Sequence, residues 1–112
     1  MSGGTVSSWK HLPAGDEEAM KSALAIHGPV SVAMHSKRLT FMYYKEGIYS
    51  DPACSHQIDH AVVLVGYGTL NDRPYWVVRN SWGTEWGLGG YFLLLRGVNQ
   101  CGIANHAAYP VV

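Results

Sequence analysis

Two short runs constrain this chain more than anything else in it. Ala61–Gly68 reads AVVLVGYG and Pro74–Asn80 reads PYWVVRN, with the turn-like segment TLNDR between them. β-Branched and aromatic side chains crowd a helix but pack well on a pleated surface, and Asn and Asp suit a tight turn. The two runs therefore predict an antiparallel hairpin. Further strands are read at VSVAMH, where Val30, Val32 and Met34 alternate with Ser31, Ala33 and His35, and at GGYFLLLR and AAYPVV.

One helix interrupts this pattern. Asp16 can cap a helix whose first turn carries Glu17 and Glu18 at the positive end of the dipole, with Ala19, Met20, Ala23, Leu24 and Ile26 as its apolar stripe and Gly28-Pro29 as its stop. Residues 1–15 lack periodicity and are punctuated by Gly3, Gly4, Pro13 and Gly15, which predicts an extended lead-in. Residues 36–57 are aromatic-rich and broken by Gly47 and Pro52, which predicts a short helix or turn plus a strand. The fold expected is mainly β, mostly antiparallel, with one clear helix near residues 16–27.

At 112 residues the chain has room for a single domain over 1–112, and a two-lobed machine would need a partner. Eight basic residues cancel eight acidic ones, so composition gives no reason to expect nucleic acid or an anionic membrane as partner. No run is long and apolar enough for a membrane span, and the opening MSGGTVSSWK, which lacks a signal-peptide pattern, reads as the start of a fragment. Six histidines make the net charge sensitive to acid. Cys54 and Cys101 are the minimum for one bridge.

His56 and His60 stand four residues apart beside Asp59, the spacing of a zinc-binding helix. The position after His56 is Gln57 where such a helix needs a glutamate base, and His60 runs into β-branched residues and glycines. His60 therefore heads a strand, and no metal is expected. A hairpin closed around Leu70 pairs residues whose numbers sum to 140, Gly66 with Pro74 and Val65 with Tyr75, and so sets His60 opposite Asn80. Opposed side chains share a face with β-carbons about 4.5–5.5 Å apart, within reach of an imidazole–carboxamide hydrogen bond. A one-residue slip would separate them. Such a pair is two thirds of a nucleophilic triad. The same residues also suit a plainer role, each satisfying local backbone groups at a strand end.

The segments GPVSVAM, YYKEGIY, IDHAVVLVGYG, YWVVRNSWGTEWGLGGY and CGIANHAAYP, in that order, resemble the C-terminal, β-rich lobe of papain-family cysteine proteases, in particular the cathepsin L-like group. The resemblance implies a β-barrel-like lobe within an α+β protease fold, with His60 as catalytic histidine, Asn80 as the residue that orients it, Trp82 as the indole shielding their hydrogen bond, and Trp86 on the leaving-group side. It pairs Cys54 with Cys101 in a disulfide, leaving neither as a nucleophile, and an oxidising history points to a lysosomal or secreted destination. It assigns Ala33, Ile58, Ala61 and His106 to the main specificity pocket, and the Asp59 backbone carbonyl to the substrate main chain. It calls for no cofactor.

The family's nucleophile motif and oxyanion-hole glutamine have no match here. The implied partners are thus an N-terminal lobe carrying the nucleophilic cysteine, and peptide or protein substrates, with protein inhibitors as a further class. Alone, the lobe is expected to be inactive, and its exposed apolar face would favour self-association. His106, where a small residue is common, would shorten the pocket when neutral, attract an acidic side chain when protonated, or point away. The competing function is a non-catalytic binding or inhibitory module built on the same lobe.

Overall fold

Asp16 caps the helix as its residue type requires: its Oδ1 accepts from the backbone N–H of Ala19 at 3.0 Å, and α1 (Glu17–His27) follows. Gly28, with φ of 89°, takes the left-handed backbone that ends it. The stripe is narrower than the sequence suggests, because Met20 and Ala23 are buried whereas Ile26 is 74% exposed. Glu17 does more than complement the dipole. Its carboxylate accepts from Trp76 Nε1 at 2.8 Å, Gly97 N at 2.9 Å and Asn99 N at 2.7 Å, so one side chain ties the helix to two distant segments.

The computed structural model describes residues 7–111, so residues 1–6 of the expected lead-in and Val112 lie outside the described residues. The other elements are β1 (Ser8–His11), β2 (Val30–Met34), α2 (Leu39–Met42), β3 (Ile48–Tyr49), β4 (His60–Leu70), β5 (Arg73–Arg79), β6 (Tyr91–Leu95), a 3₁₀ turn (Gln100–Gly102) and β7 (Ala108–Val111). The part of the lead-in that is described is extended, and its strand β1 pairs with β7.

The described strands form one seven-stranded sheet in the order β1-β7-β2-β4-β5-β6-β3. Its pairs are antiparallel except β3 with β6, which is parallel. The expected mainly β character holds, but the sheet is open, not closed into a barrel. Closure would require β1 and β3 to meet, whereas β3 has two residues and β1 is exposed along its length.

Alternation decides the core face. Val30, Val32 and Met34 of β2 are buried together with Val62 and Leu64 of β4, Trp76 and Val78 of β5, and Phe92 and Leu94 of β6, with Met20, Phe41 and Ile103 packed on them. Each large fully buried side chain of this kind stabilises the fold by about 1.5–3 kcal/mol. Half-buried His60 and buried Asn80 continue this alternation at one end of the face.

Candidate active site

The hairpin that carries the site closes with a two-residue turn. Asn71 and Asp72 have φ of 51° and 65°, and Leu70 pairs with Arg73, the arrangement of a type I′ turn. Paired residue numbers near the turn therefore sum to 143, as in Gly66 with Val77, and not to the expected 140. That register would send His60 and Asn80 to opposite faces. The ladder then shifts between Leu64 and Gly66, and beyond the shift Leu64 pairs with Val78 and Val63 with Arg79. Val65 is the extra residue of a bulge, which restores the parity that puts His60 and Asn80 on one face. The expected directly opposed pairing is thus corrected to a diagonal one, within reach of long side chains.

His60 Nε2 lies 2.7 Å from Asn80 Oδ1. The tautomer follows from a third group, because the same Oδ1 accepts the backbone N–H of Ser81 at 2.7 Å. A backbone N–H can only donate, so the atom facing both neighbours is the carboxamide oxygen. His60 must then donate from Nε2, leaving the Nδ1 lone pair free to take a proton. Asn80 is buried, and its Nδ2 has no partner among the described residues.

Trp82 stacks on His60 with centroids 5.1 Å apart and planes at 29°. Stacked rings of this kind contribute about 0.5–1.5 kcal/mol beyond the area they bury. Behind Trp82 an aromatic cluster fixes its pose: Phe41 meets Trp82 at 5.3 Å and Trp86 at 5.0 Å, and Trp86 meets Trp82 edge-on at 5.2 Å. Trp86 Nε1 donates to the Met42 carbonyl at 3.0 Å, which ties the cluster to α2. Phe41, fully buried at its centre, was not singled out by sequence reasoning; its place within the aromatic run LTFMYY was the available signal.

Asp59 precedes His60, and its backbone N–H donates to the Met34 carbonyl at 3.0 Å. Its side chain is occupied: Oδ1 accepts from Ser36 N at 3.1 Å and Ser36 Oγ at 2.6 Å, and Oδ2 lies 3.1 Å from His35 Nδ1. Burial pushes this carboxyl up, but the two Ser36 hydrogen bonds and the charges of His35 and Lys37 outweigh it and hold the pKa below the ordinary value.

Ala33 and Ala61 are direct partners in the β2–β4 ladder, on the face opposite the core, and Ile58 is half-buried just before β4. His106 is exposed in the turn that feeds β7, at the end of β2 where Ala33 lies, since Ser31 pairs with Ala108. Cys54 and Cys101 form a disulfide with Cα atoms 5.1 Å apart, tying the segment before His60 to the 3₁₀ turn. His56 lies in that segment, away from any strand, and approaches Gly102, where an added β-carbon would stand 3.1 Å from the His56 Cα.

An open, mostly antiparallel sheet that orients an imidazole at the end of its core face is an arrangement suited to proton transfer. Comparison with known proteins gives the class. The family profile described as papain family cysteine protease matches residues 2–111. The chain is 46% identical over 109 residues to cathepsin S of Mus musculus, covering 96% of this chain and 32% of that protein. It is 49% identical over 113 residues to cathepsin L of Sarcophaga peregrina, covering 98% of this chain and 33% of that one. Among solved structures, digestive procathepsin L 3 of the Tenebrio molitor larval midgut superposes with a TM-score of 0.91 at 38% identity, over 96% of this chain and 36% of that chain. The chain belongs to the papain family of cysteine proteases, and the cathepsin L-like resemblance read from its motifs is borne out. It spans about a third of the length of the curated relatives it matches.

Proposed function

We propose that this chain supplies the proton-handling half of a cysteine endopeptidase, with His60 as general base and acid, Asn80 as the residue that orients it and Trp82 as their indole cover. The observation carrying this reading is the pair of 2.7 Å contacts on Asn80 Oδ1, from His60 Nε2 and from Ser81 N, which together leave His60 Nδ1 free. Both cysteines are held in the disulfide, so the nucleophile belongs to polypeptide beyond these 112 residues, an N-terminal lobe on the same parent chain or a separate one.

In the assembled site a thiol transfers its proton to His60 Nδ1, and the resulting thiolate attacks the peptide carbonyl. Imidazolium then protonates the departing amine, and neutral His60 activates the water that hydrolyses the thioester. Asn80 holds the ring through both half-reactions. Ala33, Ile58, Ala61 and His106 form this lobe's wall of the main specificity pocket, the Asp59 carbonyl binds substrate main chain, and Trp86 borders the leaving-group side. His106 confers a preference for Glu or Asp that depends on acid, which equal cleavage of Leu and Glu substrates at about pH 5 would rule out. The disulfide supports synthesis in the secretory pathway, with a lysosomal or extracellular destination.

Alone the chain is inactive. Mixing it with an N-terminal lobe is expected to restore hydrolysis of a dipeptide reporter, and His60→Ala to abolish it; restored hydrolysis unaffected by His60→Ala would refute the assignment. The second reading, an inhibitory or binding module, draws on the exposure of Leu39, Tyr43, Trp82 and Leu88, an apolar surface suited to a protein partner or to self-association. It predicts that the chain suppresses an intact protease when added to it.

A further inference from the structure

His60 is the first residue of β4, and the chain reaches it through an irregular segment. A base at a strand end is oriented only as well as the peptide that carries it, and side-chain bonds to that peptide's neighbours are the usual means of fixing it. Asn80 grips the ring on the core face. On the opposite face, where Asp59 emerges beside Ala33 and Ala61, the backbone is gripped by a second set of bonds.

At its centre is His35. Its Nδ1 lies 2.9 Å from the Gln57 carbonyl and 3.1 Å from Asp59 Oδ2, so one ring nitrogen bridges two points on the three-residue approach to His60. A carbonyl can only accept, so Nδ1 carries the proton, whatever the charge of the ring. His35 itself is anchored, its N–H donating to the Cys101 carbonyl at 2.9 Å, next to the disulfide. The neighbouring Ser36 adds two more bonds to the same carboxylate, at 2.6 and 3.1 Å. Held by these donors and by the charges of His35 and Lys37, the carboxyl resists protonation and keeps its acceptors in acid.

We infer that His35 is a positioning residue for His60, acting through Asp59 and the Gln57 carbonyl: its Nδ1–H fixes the peptide that aims the His60 ring at its nucleophile. The inference rests on the proposed role of His60. It requires a donor at the Nδ1 position, not a charge, so His35→Asn, whose amide nitrogen can occupy a similar place, should substitute, while His35→Ala should not.

Two measurements test it. In this chain, nitrogen and carbon NMR of the His60 ring reads its tautomer without any need for activity. His35→Ala is expected to lower the population of the Nε2–H form and broaden its proton signal, while His35→Asn keeps the wild-type spectrum. An unchanged His60 ring in His35→Ala overturns the inference. Where the alanine variant fails to fold, His35→Leu, which keeps bulk without a donor, replaces it with the same expectations.

In the enzyme assembled with its N-terminal lobe, His35→Ala is expected to lower kcat about tenfold, since sub-ångström misplacement of a reacting group is costly, with KM within about twofold. His35→Asn should recover most of it. A change in KM alone would make His35 a substrate contact and defeat the proposal. Hydrolysis that survives His60→Ala would instead defeat the peptidase reading, while the ring spectra would still decide whether His35 positions His60.

Discussion

Asn80 is held to His60 across a hairpin whose register near its turn would place the two side chains on opposite faces. The residue that reconciles them is Val65, left unpaired where the ladder shifts between Leu64 and Gly66. Deleting Val65 while retaining the Asn71–Asp72 turn leaves Leu64 opposite Val78 in a regular ladder and should keep the 2.7 Å hydrogen bond, whereas inserting one alanine between Val63 and Leu64, beyond the bulge, moves His60 by one position and should break it. The His60 ring is expected to lose its protected Nε2 proton by NMR in the insertion variant and to retain it in the Val65 deletion. An insertion variant with an intact His60–Asn80 signal would show that the register of this ladder is not what aligns them.

Asn80→Ala tests the pair from the other side. It removes the acceptor of both His60 Nε2 and the Ser81 N–H. A hydrogen bond to a group that becomes charged is worth about 1.5–3 kcal/mol, which corresponds to about 10- to 150-fold in rate. The expected result in the assembled enzyme is a fall in kcat of that order with KM nearly unchanged, because the bond matters most when His60 is imidazolium. Unaltered kcat would remove Asn80 from the mechanism.

The strands were legible because their signals are local: alternation in Val30–Met34 and β-branched runs in β4 and β5 need no knowledge of neighbours. Register was not, since it depends on which residues make the turn. Centring the loop on Leu70 missed that Asn71-Asp72 is itself a two-residue I′ turn, a signal the sequence does contain. The bulge at Val65 carries no such mark, as valine is an ordinary strand residue. The pairing of His60 with Asn80 was therefore anticipated through a register that the coordinates correct. The motif resemblance reached the same pair independently. The grip of His35 and Ser36 on Asp59 lay beyond reach because it joins residues far apart in sequence, 23 for Ser36, whose proximity depends on the β2–β4 ladder. Ile26 illustrates the converse error: helical periodicity continues to the end of α1, but the core beneath it does not.

Acid should loosen the loop before the disulfide. Asp51 accepts from Thr40 Oγ1 at 2.7 Å, Arg38 Nε at 2.9 Å and Ala53 N at 2.9 Å, and its pKa is lowered to about 2, chiefly by the Thr40 bond and then by Arg38. An aspartate in the unfolded chain titrates near about 3.9. Because the folded value is the lower one, this carboxylate contributes stability that is fully present above the unfolded pKa and is lost as pH falls toward 2. Urea midpoints measured between about pH 5 and pH 2 should decline more steeply for the wild type than for Asp51→Asn. Parallel curves would count against the assignment.

Reduction provides a larger effect. Cys54 and Cys101 are 47 residues apart in sequence, and closing a loop of that size disfavours the unfolded chain by about 4 kcal/mol in the chain-entropy treatment. Denaturant unfolding with and without reductant should differ by that order, and Cys54→Ser with Cys101→Ser should match the reduced protein. A difference well under about 1 kcal/mol would mean that the reduced unfolded chain retains this contact.

Glu17 is the residue whose loss should reach farthest from its own helix. Truncation to alanine leaves Trp76 Nε1, Gly97 N and Asn99 N without their acceptor, and Trp76 is fully buried. Unsatisfied buried donors cost about 1–3 kcal/mol each, although Gly97 is exposed and water can replace its partner. The net expectation is a destabilisation of about 2–4 kcal/mol, dominated by Trp76 and Asn99. Glu17→Gln keeps one oxygen acceptor and should lose less, which separates the hydrogen bonds from the charge at the helix start. Amide exchange supplies the local readout, with Asn99 protection falling in Glu17→Ala before that of β4. If Glu18→Ala, which removes the neighbouring first-turn charge, destabilised the fold as much as Glu17→Ala, the helix dipole and not this three-way anchor would be the origin of the effect.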